Sequence, residues 1–258
     1  MQKIKFIPDE PALVLDKPRT LVIADLHLGF EWELYQSGIV LPSQTEKLKN
    51  KILELIEKTD SERLIILGDV KHKVPGISFQ ELREIPKMLN ELKAKVEVII
   101  CQGNHDDQPK QFVPEGIKVY GTKGFIEDKI AFNHGHTWPK KELLKADTLI
   151  LAHNHPLVEL RDKLGFRMIE PCWVRSEIDK AKIKQKYKLK ATGELKVIVM
   201  PAFNELVGGV IFNSQEILGP LFKNQMIKIE ESALYLLDGT LLGKIENLRK
   251  FAGVAEPG

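Results

Sequence analysis

The chain has 258 residues, of which 43% are hydrophobic, enough for a sizeable core in one large domain or two small ones. A net charge of +2 and a pI near 8.3 neither require nor exclude a nucleic-acid partner. Residues 1–9 contain no apolar run of signal-peptide length, and the longest apolar stretches elsewhere are too short to span a membrane, so we expect a cytoplasmic protein. Cys101 and Cys172 are predicted to be buried, reduced thiols.

The first half of the chain alternates between strand and helix patterns. Apolar, β-branched runs predict four strands, over residues 12–15, 20–24, 63–67 and 96–101. A helix is predicted from about 43 to 59, with Ser43 and Glu46 as its capping box. A second helix is predicted over 79–92, with a kink or a later start at Pro86. This β-α-β-α-β order is the signature of a parallel sheet with crossover helices.

The second half of the chain is predicted to be mostly sheet. Short strands are predicted over residues 117–120, 124–127, 130–133, 148–152, 157–160, 166–169, 196–200, 233–237 and 241–245. One short helix is expected near 140–145. We find no internal repeat and no linker that would separate a second domain, so the expected architecture is two facing sheets with helices outside.

Six lysines alternate with weakly apolar residues between positions 180 and 190. In a strand, this spacing would place all six ammonium groups on one face. A solvated flap or protection of an edge strand is the simpler interpretation, and a contact surface for a phosphate backbone is the alternative. We predict a single domain over residues 1–258, with a lysine-rich flap or insertion at about 178–194.

All seven histidines lie in five short motifs, each at or just after a strand-like run. The motifs are ADLHLG from residue 24, ILGDVKH from 66, GNHD from 103, NHGHT from 133 and LAHNHP from 151. Taken singly, each is compatible with an ordinary turn. A two-residue spacing in extended backbone places Asp25 and His27 on one side, and His153 and His155 likewise. Because the carboxyl edge of a parallel sheet commonly carries the site of an α/β fold, we expect these side chains to converge.

The motifs supply imidazole nitrogens, carboxylates and one carboxamide as candidate metal donors. Such mixed donors suit two divalent metals of borderline or moderately hard character. We expect manganese, with iron, zinc, nickel or cobalt as alternatives. A sulfur-rich structural zinc site is excluded because the motifs offer no thiolate.

The ordered set D-x-H, GD, GNHD, HG and H-x-H resembles the calcineurin-like metallophosphoesterase superfamily. The resemblance implies an α/β fold, α+β by some schemes, built as a four-layer αββα sandwich of two mixed sheets. A dinuclear metal site would lie at the sheet edge. Carried over by position, the family pattern implies that one metal is bound by Asp25, His27 and His155. The other metal would be bound by Asn104, His134 and His153, and Asp69 would bridge both.

The same resemblance implies roles for the remaining polar residues of the motifs. His105 would face the scissile phosphate as general acid, and Asp106 would orient it. His72 and His136 are surplus to the ligand set. Each is expected either to contact the metal ligands or the substrate, or to be an ordinary polar residue with no role in the site. Hydrolysis would proceed by in-line attack of a metal-bridging hydroxide, without a covalent enzyme intermediate. Protein serine/threonine phosphatases of this superfamily carry Asp and Arg after the GD, and the Val70 to Lys73 segment here argues against that branch.

Three further stretches, LPSQT from residue 41, PAFNELVGG from 201 and LDGTLLG from 237, resemble an archaeal and bacterial subgroup. This subgroup is related to nuclease subunits of double-strand-break repair and to ligase-associated phosphoesterases. The resemblance therefore adds a helicase or a ligase as a candidate partner. It leaves the oligomeric state open.

We predict a metal-dependent phosphodiesterase, a nuclease-like hydrolase acting on DNA or a nucleotide diester. A phosphomonoesterase or small-nucleotide hydrolase is the alternative, and a noncatalytic docking module is disfavoured because His105 and all seven ligand positions are filled. An open cleft lined with lysine would favour a polymer, and a closed pocket with an extra cation would favour a monoester. Phe30, Trp32 and Trp138 lie near proposed ligands and are expected to pack in the core or at the rim of the site rather than to serve as base-stacking platforms.

Overall fold

The computed structural model describes residues 3–162, 164–190, 192 and 194–252. Its first sheet has six strands in chain order: β1 (Ile4–Phe6), β2 (Leu13–Asp16), β3 (Arg19–Ile23), β4 (Arg63–Leu67), β5 (Glu97–Cys101) and β6 (Lys118–Tyr120). β1 to β3 pair antiparallel, and β3 to β6 pair parallel. Helices α2 (Thr45–Thr59) and α3 (Phe79–Lys93) make the crossovers from β3 to β4 and from β4 to β5, as the sequence pattern predicts, and the short helix α1 (Phe30–Gln36) precedes them.

The second sheet has eight strands: β7 (Phe125–Glu127), β8 (Ile130–Phe132), β9 (Thr148–Leu151), β10 (Leu157–Arg161), β11 (Arg167–Glu177), β12 (Lys196–Val199), β13 (Ala233–Leu236) and β14 (Leu241–Lys244). Their order is β14-β13-β11-β12-β9-β8-β7, with β10 paired to β11 outside this path. β9 lies parallel to β8 and β12, and the other pairs are antiparallel. The remaining elements are two 3-10 turns, Pro109–Gln111 and Lys141–Lys145, and helices α4 (Lys180–Tyr187), α5 (Pro220–Lys223) and α6 (Ile245–Ala252).

Alternation along the strands divides the core into three apolar layers. One face of the first sheet packs on α2 and α3, with members such as Leu21, Ile23, Ile52, Ile66 and Leu89. Its other face packs on the second sheet, through residues including Val22, Ile65, Ile99, Phe132, Ile150 and Trp173. The outer face of the second sheet is covered by α4 to α6, through residues including Leu149, Val197, Ile183, Phe222 and Ile245. The predicted αββα sandwich of two mixed sheets is therefore confirmed.

The helix starts differ from those that the sequence indicated. Gln44, not Ser43, is the N-cap of α2, and the Ser43 hydroxyl donates to Glu84 Oε2 (2.6 Å) instead. The predicted Ser43 capping box is therefore wrong. A capping box forms instead at α3, where Ser78 Oγ accepts from Glu81 N (3.2 Å) and Glu81 Oε2 accepts from Ser78 N (2.5 Å).

Pro86 lies inside α3, which begins at Phe79, so the alternative of a later helix start is wrong. Strand β11 extends to Glu177, well beyond the predicted segment over 166–169. Its pairing with β10 ends at Pro171, and its pairing with β13 begins at Cys172 and that with β12 at Val174. Proline removes a ladder donor, and it lies here where the strand changes partners.

The lysine-rich segment is helical, so its interpretation as an alternating strand is wrong. Asp179 caps α4, because its Oδ1 accepts from Ala181 N and Lys182 N at 3.0 Å each. In a helix, the lysines spread around the axis instead of sharing one face, and Ile183 is the buried contact. Residues 191 and 193 of the predicted flap, like both ends of the predicted domain over 1–258, lie outside the described residues. Among the described helices, none is long and apolar enough to cross a membrane.

Candidate metal centre

The candidate donors follow the carboxyl ends of five strands. Asp25, Asp69 and Asn104 come after β3, β4 and β5 of the first sheet, and His134 and His153 come after β8 and β9 of the second. Within each sheet these strands run parallel, so their carboxyl ends share an edge. The two edges meet, because His134 Nδ1 donates to Leu67 O at the end of β4 (2.9 Å). The loops of both sheets therefore converge on one site, as α/β topology favours.

Five candidate ligands have left-handed backbone rather than the extended backbone that the two-residue spacing suggested. The φ angles range from 42° to 73° at Asp25, His27, Asp69, His153 and His155. Non-glycine residues rarely adopt this region, and each such conformation costs about 1–3 kcal/mol. Hydrogen bonds between the loops hold this geometry, including His27 N to Asp69 O (2.8 Å) and Asp25 N to Gly68 O (3.1 Å). Backbone strain at ligand positions is typical of a functional site.

Glycines allow the loops to approach one another closely. A Cβ on Gly68 would lie 2.1 Å from His134 Nδ1, and one on Gly103 would lie 2.1 Å from Asp69 Oδ1. A Cβ on Gly209 would lie 1.9 Å from the main-chain oxygen of His155. Glycine is therefore required at these three positions for the donors to converge.

The first donor group comprises Asp25, His27, Asp69 and His155, whose ligand atoms all lie within 4.8 Å of one another. His155 Nε2 is 3.4 Å from Asp25 Oδ1 and 3.2 Å from His27 Nε2. His155 Nδ1 donates to Gly208 O (2.7 Å), which leaves Nε2 as the metal-facing atom. Asp25 Oδ1 is buried with no hydrogen-bond partner among the described residues, an arrangement that a cation would satisfy.

The second donor group comprises Asp69, His134 and His153, again with ligand atoms within 4.8 Å of one another. His134 Nε2 lies 3.2 Å from Asp69 Oδ2 and 3.2 Å from Asn104 Oδ1, so the carboxamide joins this group. Asp69 belongs to both groups and is almost fully buried between them. The carboxylate, imidazole and amide donors fit two divalent cations that share Asp69.

The electrostatics of the cluster match this donor set. Burial alone disfavours a charged His134, yet Asp69 and Asp25 raise its pKa to about 10. Burial also opposes ionisation of Asp69, but the contact with His134 holds its pKa below the usual range. Burial lowers the pKa of His27 to about 2 and that of His153 to about 3, so both present free lone pairs at neutral pH. Metal binding would displace the His134 proton and take over its balancing charge.

His105 and Asp106 lie in the loop after β5 and have different surroundings. His105 N donates to Asp69 Oδ1 (2.8 Å), and its ring Nδ1 donates to His72 O. Asp106 is buried, and its carboxylate accepts from Val70 N (2.8 Å) and Gly103 N (2.9 Å). These bonds tie the GD loop to the GNHD loop. Burial and the nearby Asp69 charge raise the pKa of Asp106 to about 6.

The two surplus histidines lie against candidate ligands. His72 Nδ1 is 3.1 Å from His27 Nδ1, and His72 Nε2 is hydrogen-bonded to Glu33 Oε2 (2.6 Å). The ring of His136 lies 5.2 Å from that of His134, between ring centroids, and burial lowers its pKa to about 4. Glu33, on α1, was not among the predicted site residues, because no helix pattern was recognised in that segment.

The PAFNELVGG stretch supports the site from a distant part of the chain. Asn204 Nδ2 donates to Leu26 O (2.9 Å), and Gly208 supplies the carbonyl that orients His155. The sequence marked this stretch only as a family resemblance. Its asparagine and paired glycines were the available signal, because such residues commonly support tight loops.

The two stacked sheets and the donor cluster at their common edge define a metal-dependent hydrolase. Residues 18–192 match the family model of the calcineurin-like phosphoesterases, and the chain therefore belongs to that family of dinuclear-metal enzymes. The resemblance seen in the sequence motifs is confirmed.

Two solved structures match the chain to different degrees. The nuclease MPE of Pseudomonas putida matches with a TM-score of 0.59 and 23% identity, over 92% of this chain and 100% of that chain. Yfce, a phosphoesterase from E. coli, matches with a TM-score of 0.43 and 15% identity, over 87% of this chain and 97% of that chain. No curated protein matches the chain significantly. The first likeness shows that the shared fold extends over nearly the whole chain.

Proposed function

We propose that this hydrolase is a phosphodiesterase that acts on a nucleic-acid strand, with DNA as the first candidate. The observation that carries the proposal is the open surface beside His105. A depression of about 300 Å³ contains His105 and His72 and is bordered by the exposed Lys73 and Val74. A phosphomonoester dianion favours a closed pocket with an extra cation, whereas a diester within a chain needs an open groove. The nuclease MPE, which shares the fold, is a further reason to test nucleic acid first.

The cation of the GDVKH motif is not available for a terminal phosphate. Lys71 is fully buried, and its Nζ lies 2.5 Å from Asp107 Oδ1 and donates to Lys73 O (2.5 Å). Its charge is therefore neutralised inside the protein. This arrangement also favours a diester, which carries one negative charge fewer than a monoester.

We assign the metal sites as the sequence motifs indicate. Asp25, His27 and His155 would hold one cation, Asn104, His134 and His153 the other, and Asp69 both. When bound, the two cations supply Lewis acidity at the phosphoryl group and activate water near neutral pH. The choice of manganese stays a prediction.

His105 would protonate the leaving oxygen. Its Nδ1 is occupied by the His72 carbonyl, so Nε2 is the ring nitrogen left to serve the substrate. The hydrogen bond from its main-chain N to Asp69 ties the ring to the shared metal ligand. Asp106 acts as a positioning residue, because its carboxylate holds the two loops that carry Asp69 and His105.

The test is hydrolysis of methyl p-nitrophenyl phosphate and of p-nitrophenyl phosphate by chelator-stripped protein, titrated with Mn²⁺. We expect metal-dependent cleavage of the diester, with loss of activity in Asn104→Ala. Asn90→Ala, at an exposed position of α3, is the matched control. Preference for the monoester would overturn the diester proposal in favour of a phosphomonoesterase or small-nucleotide hydrolase. Inactivity with every metal would favour a docking module.

The other expectations stay predictions. They are a single domain over residues 1–258, a cytoplasmic location, and association with a helicase or a ligase.

A further inference from the structure

Three aromatic side chains beside the metal centre face outward. Trp32, Tyr35 and Phe79 are 45%, 56% and 93% exposed, and we call them the aromatic shelf. The rings of Trp32 and Tyr35 stack with centroids 5.4 Å apart and planes 25° from parallel. Trp138 differs, because it packs against the core beneath Lys186 Nζ, 4.4 Å from its ring centroid. Trp138 therefore packs as expected, whereas Trp32 stays half-exposed.

The aromatic shelf is continuous with the candidate active site. A cavity of about 660 Å³ is lined by all three shelf residues and also by Lys73 and Ser78. Trp32, Lys73 and Ser78 also line the depression that contains His105. A polymer that leaves the metal centre past His105 would therefore meet Trp32 next. The cavity has the size of an ordinary ligand site, about 300–1,000 Å³.

The lining of this cavity suits a nucleobase better than a phosphate. Its apolar wall includes Leu41, Ile77 and Leu82 in addition to the shelf. Two of its acidic side chains are already hydrogen-bonded: Glu31 accepts from Gln44 N (2.5 Å), and Glu84 accepts from the hydroxyls of Ser43 (2.6 Å) and Thr45 (2.8 Å). The exposed Lys73 lies at the rim, where its charge can meet a phosphate of the strand, whereas Arg83 is paired with Glu84 Oε1 (2.8 Å). Base stacking on aromatic side chains beside a cationic rim is the usual chemistry of single-strand binding.

We propose that the aromatic shelf binds unpaired bases of a nucleic-acid strand on the leaving-group side of the scissile phosphate. This inference rests on the proposed phosphodiesterase function and narrows its substrate to single strands or frayed ends. Bases within a duplex are stacked on one another, so their faces are not available to Trp32 or Phe79. The leaving group that His105 protonates is the nucleoside whose base enters the shelf.

The test compares two deoxyoligonucleotides of equal length in Mn²⁺, one with bases and one built only of abasic sites. Trp32→Ala and Phe79→Ala are each expected to raise KM for the base-containing strand about tenfold, the loss typical of one stacked base. The KM for the abasic strand, which has no base to stack, is the internal reference for each variant. Trp32→Phe keeps an aromatic face and should retain most of the affinity for the base-containing strand. Phe166→Ala removes an aromatic residue that is 69% exposed outside the shelf, and it should behave as wild type.

The outcomes separate this inference from the function on which it rests. If the wild type cleaves both the diester and the strand, and KM is unchanged in both shelf variants, base binding by the shelf is refuted and the phosphodiesterase function stands. Equal KM values of the wild type for abasic and base-containing strands would do the same. Unchanged KM values together with loss of self-association or of protein binding would reassign the surface to a protein partner. A wild type that cleaves no diester would refute both proposals.

Discussion

The metal centre and the aromatic shelf are neighbours on one surface, yet their side chains are held in opposite ways. Asp25 and His134 are fully buried, and strained backbone and interloop hydrogen bonds fix the donors around them. Trp32 and Phe79 lie on the outside of two helices with much of their surface exposed. Chemistry at phosphorus requires donors held to about 0.5 Å. Base stacking tolerates movement, because every base presents a π face.

The largest effect is expected when the metal centre is damaged and the shelf is left intact. Asp69→Asn would lower activity on every substrate on the order of 1,000-fold, beyond the 10- to 100-fold typical of residues that only support a ligand. The reason is that both donor groups share Asp69. Metal content measured by elemental analysis should fall with kcat. Asp128→Asn, at an exposed turn with a similar φ of 49°, should retain full activity.

The next largest effect should depend on the leaving group. His105→Ala should lower kcat about 100-fold for a nucleotide diester, whose alkoxide needs a proton, and much less for a p-nitrophenolate leaving group. The measurement compares kcat for two diesters that have the same phosphoryl group and differ only in the leaving group. Equal losses on both substrates would assign His105 to metal or phosphate binding and remove its role as general acid.

The affinity of the metal centre for its cation should depend on pH, because a donor must lose a proton when the metal binds. Because the pKa of His134 is raised to about 10, a metal must displace its proton at any lower pH. The Kd for Mn²⁺ should therefore rise about tenfold for each unit that pH falls between 9 and 7, measured by isothermal titration. His136→Asn should leave this slope unchanged, since the pKa of His136 is lowered to about 4. A pH-independent Kd would contradict the protonated state of His134.

In the metal-free protein, His134 and Asp69 predict the opposite trend: stability should fall as pH rises. The folded pKa of His134 exceeds its ordinary value of 6.5, so its stabilising contact with Asp69 is complete below pH 6.5. This stabilisation is lost as pH rises through about 10. The Tm of the chelated protein should fall between pH 7 and pH 10, and less so in His134→Asn.

The smallest effect is expected on thermal stability, from the capping box at the start of α3. Ser78→Ala removes the capping box of α3, whose first residue is Phe79, at a cost of about 1 kcal/mol. Scanning calorimetry should show Tm lower by about 2–4 °C. Ser214→Ala, at an exposed turn, should leave Tm unchanged. A rise in KM for the strand in Ser78→Ala would show that ordered α3 is needed to hold Phe79 for the bases.

Sequence-based prediction succeeded where one local pattern dominated. Strand β4 and the crossover helices follow from apolar periodicity, and the motifs at strand ends contain the candidate donors that the fold brings together. It failed where two local patterns competed. Ser43 and Ser78 both precede a glutamate by three residues, but only Ser78 caps its helix, because Ser43 is bonded to Glu84 across the α2–α3 interface.

The alternating lysines show the same limit. Their period of two indicated a strand, and the cap at Asp179 together with burial of Ile183 against the second sheet produced a helix. A charged, weakly amphipathic segment has little conformational preference of its own, so its contacts decide. Tertiary context overrides local propensity in such segments.

The β-α-β-α-β framework could be predicted from the residues alone because apolar periodicity is a local property, and the αββα fold and the candidate donors were predicted from the resemblance of the motifs to a known family. Three features required the folded chain: the left-handed turns that bring Asp25 and His27 together, the contact of Glu33 with His72, and the outward orientation of Trp32. These features depend on contacts between segments far apart in the chain. Their free energies arise from close packing and burial, which no local pattern encodes.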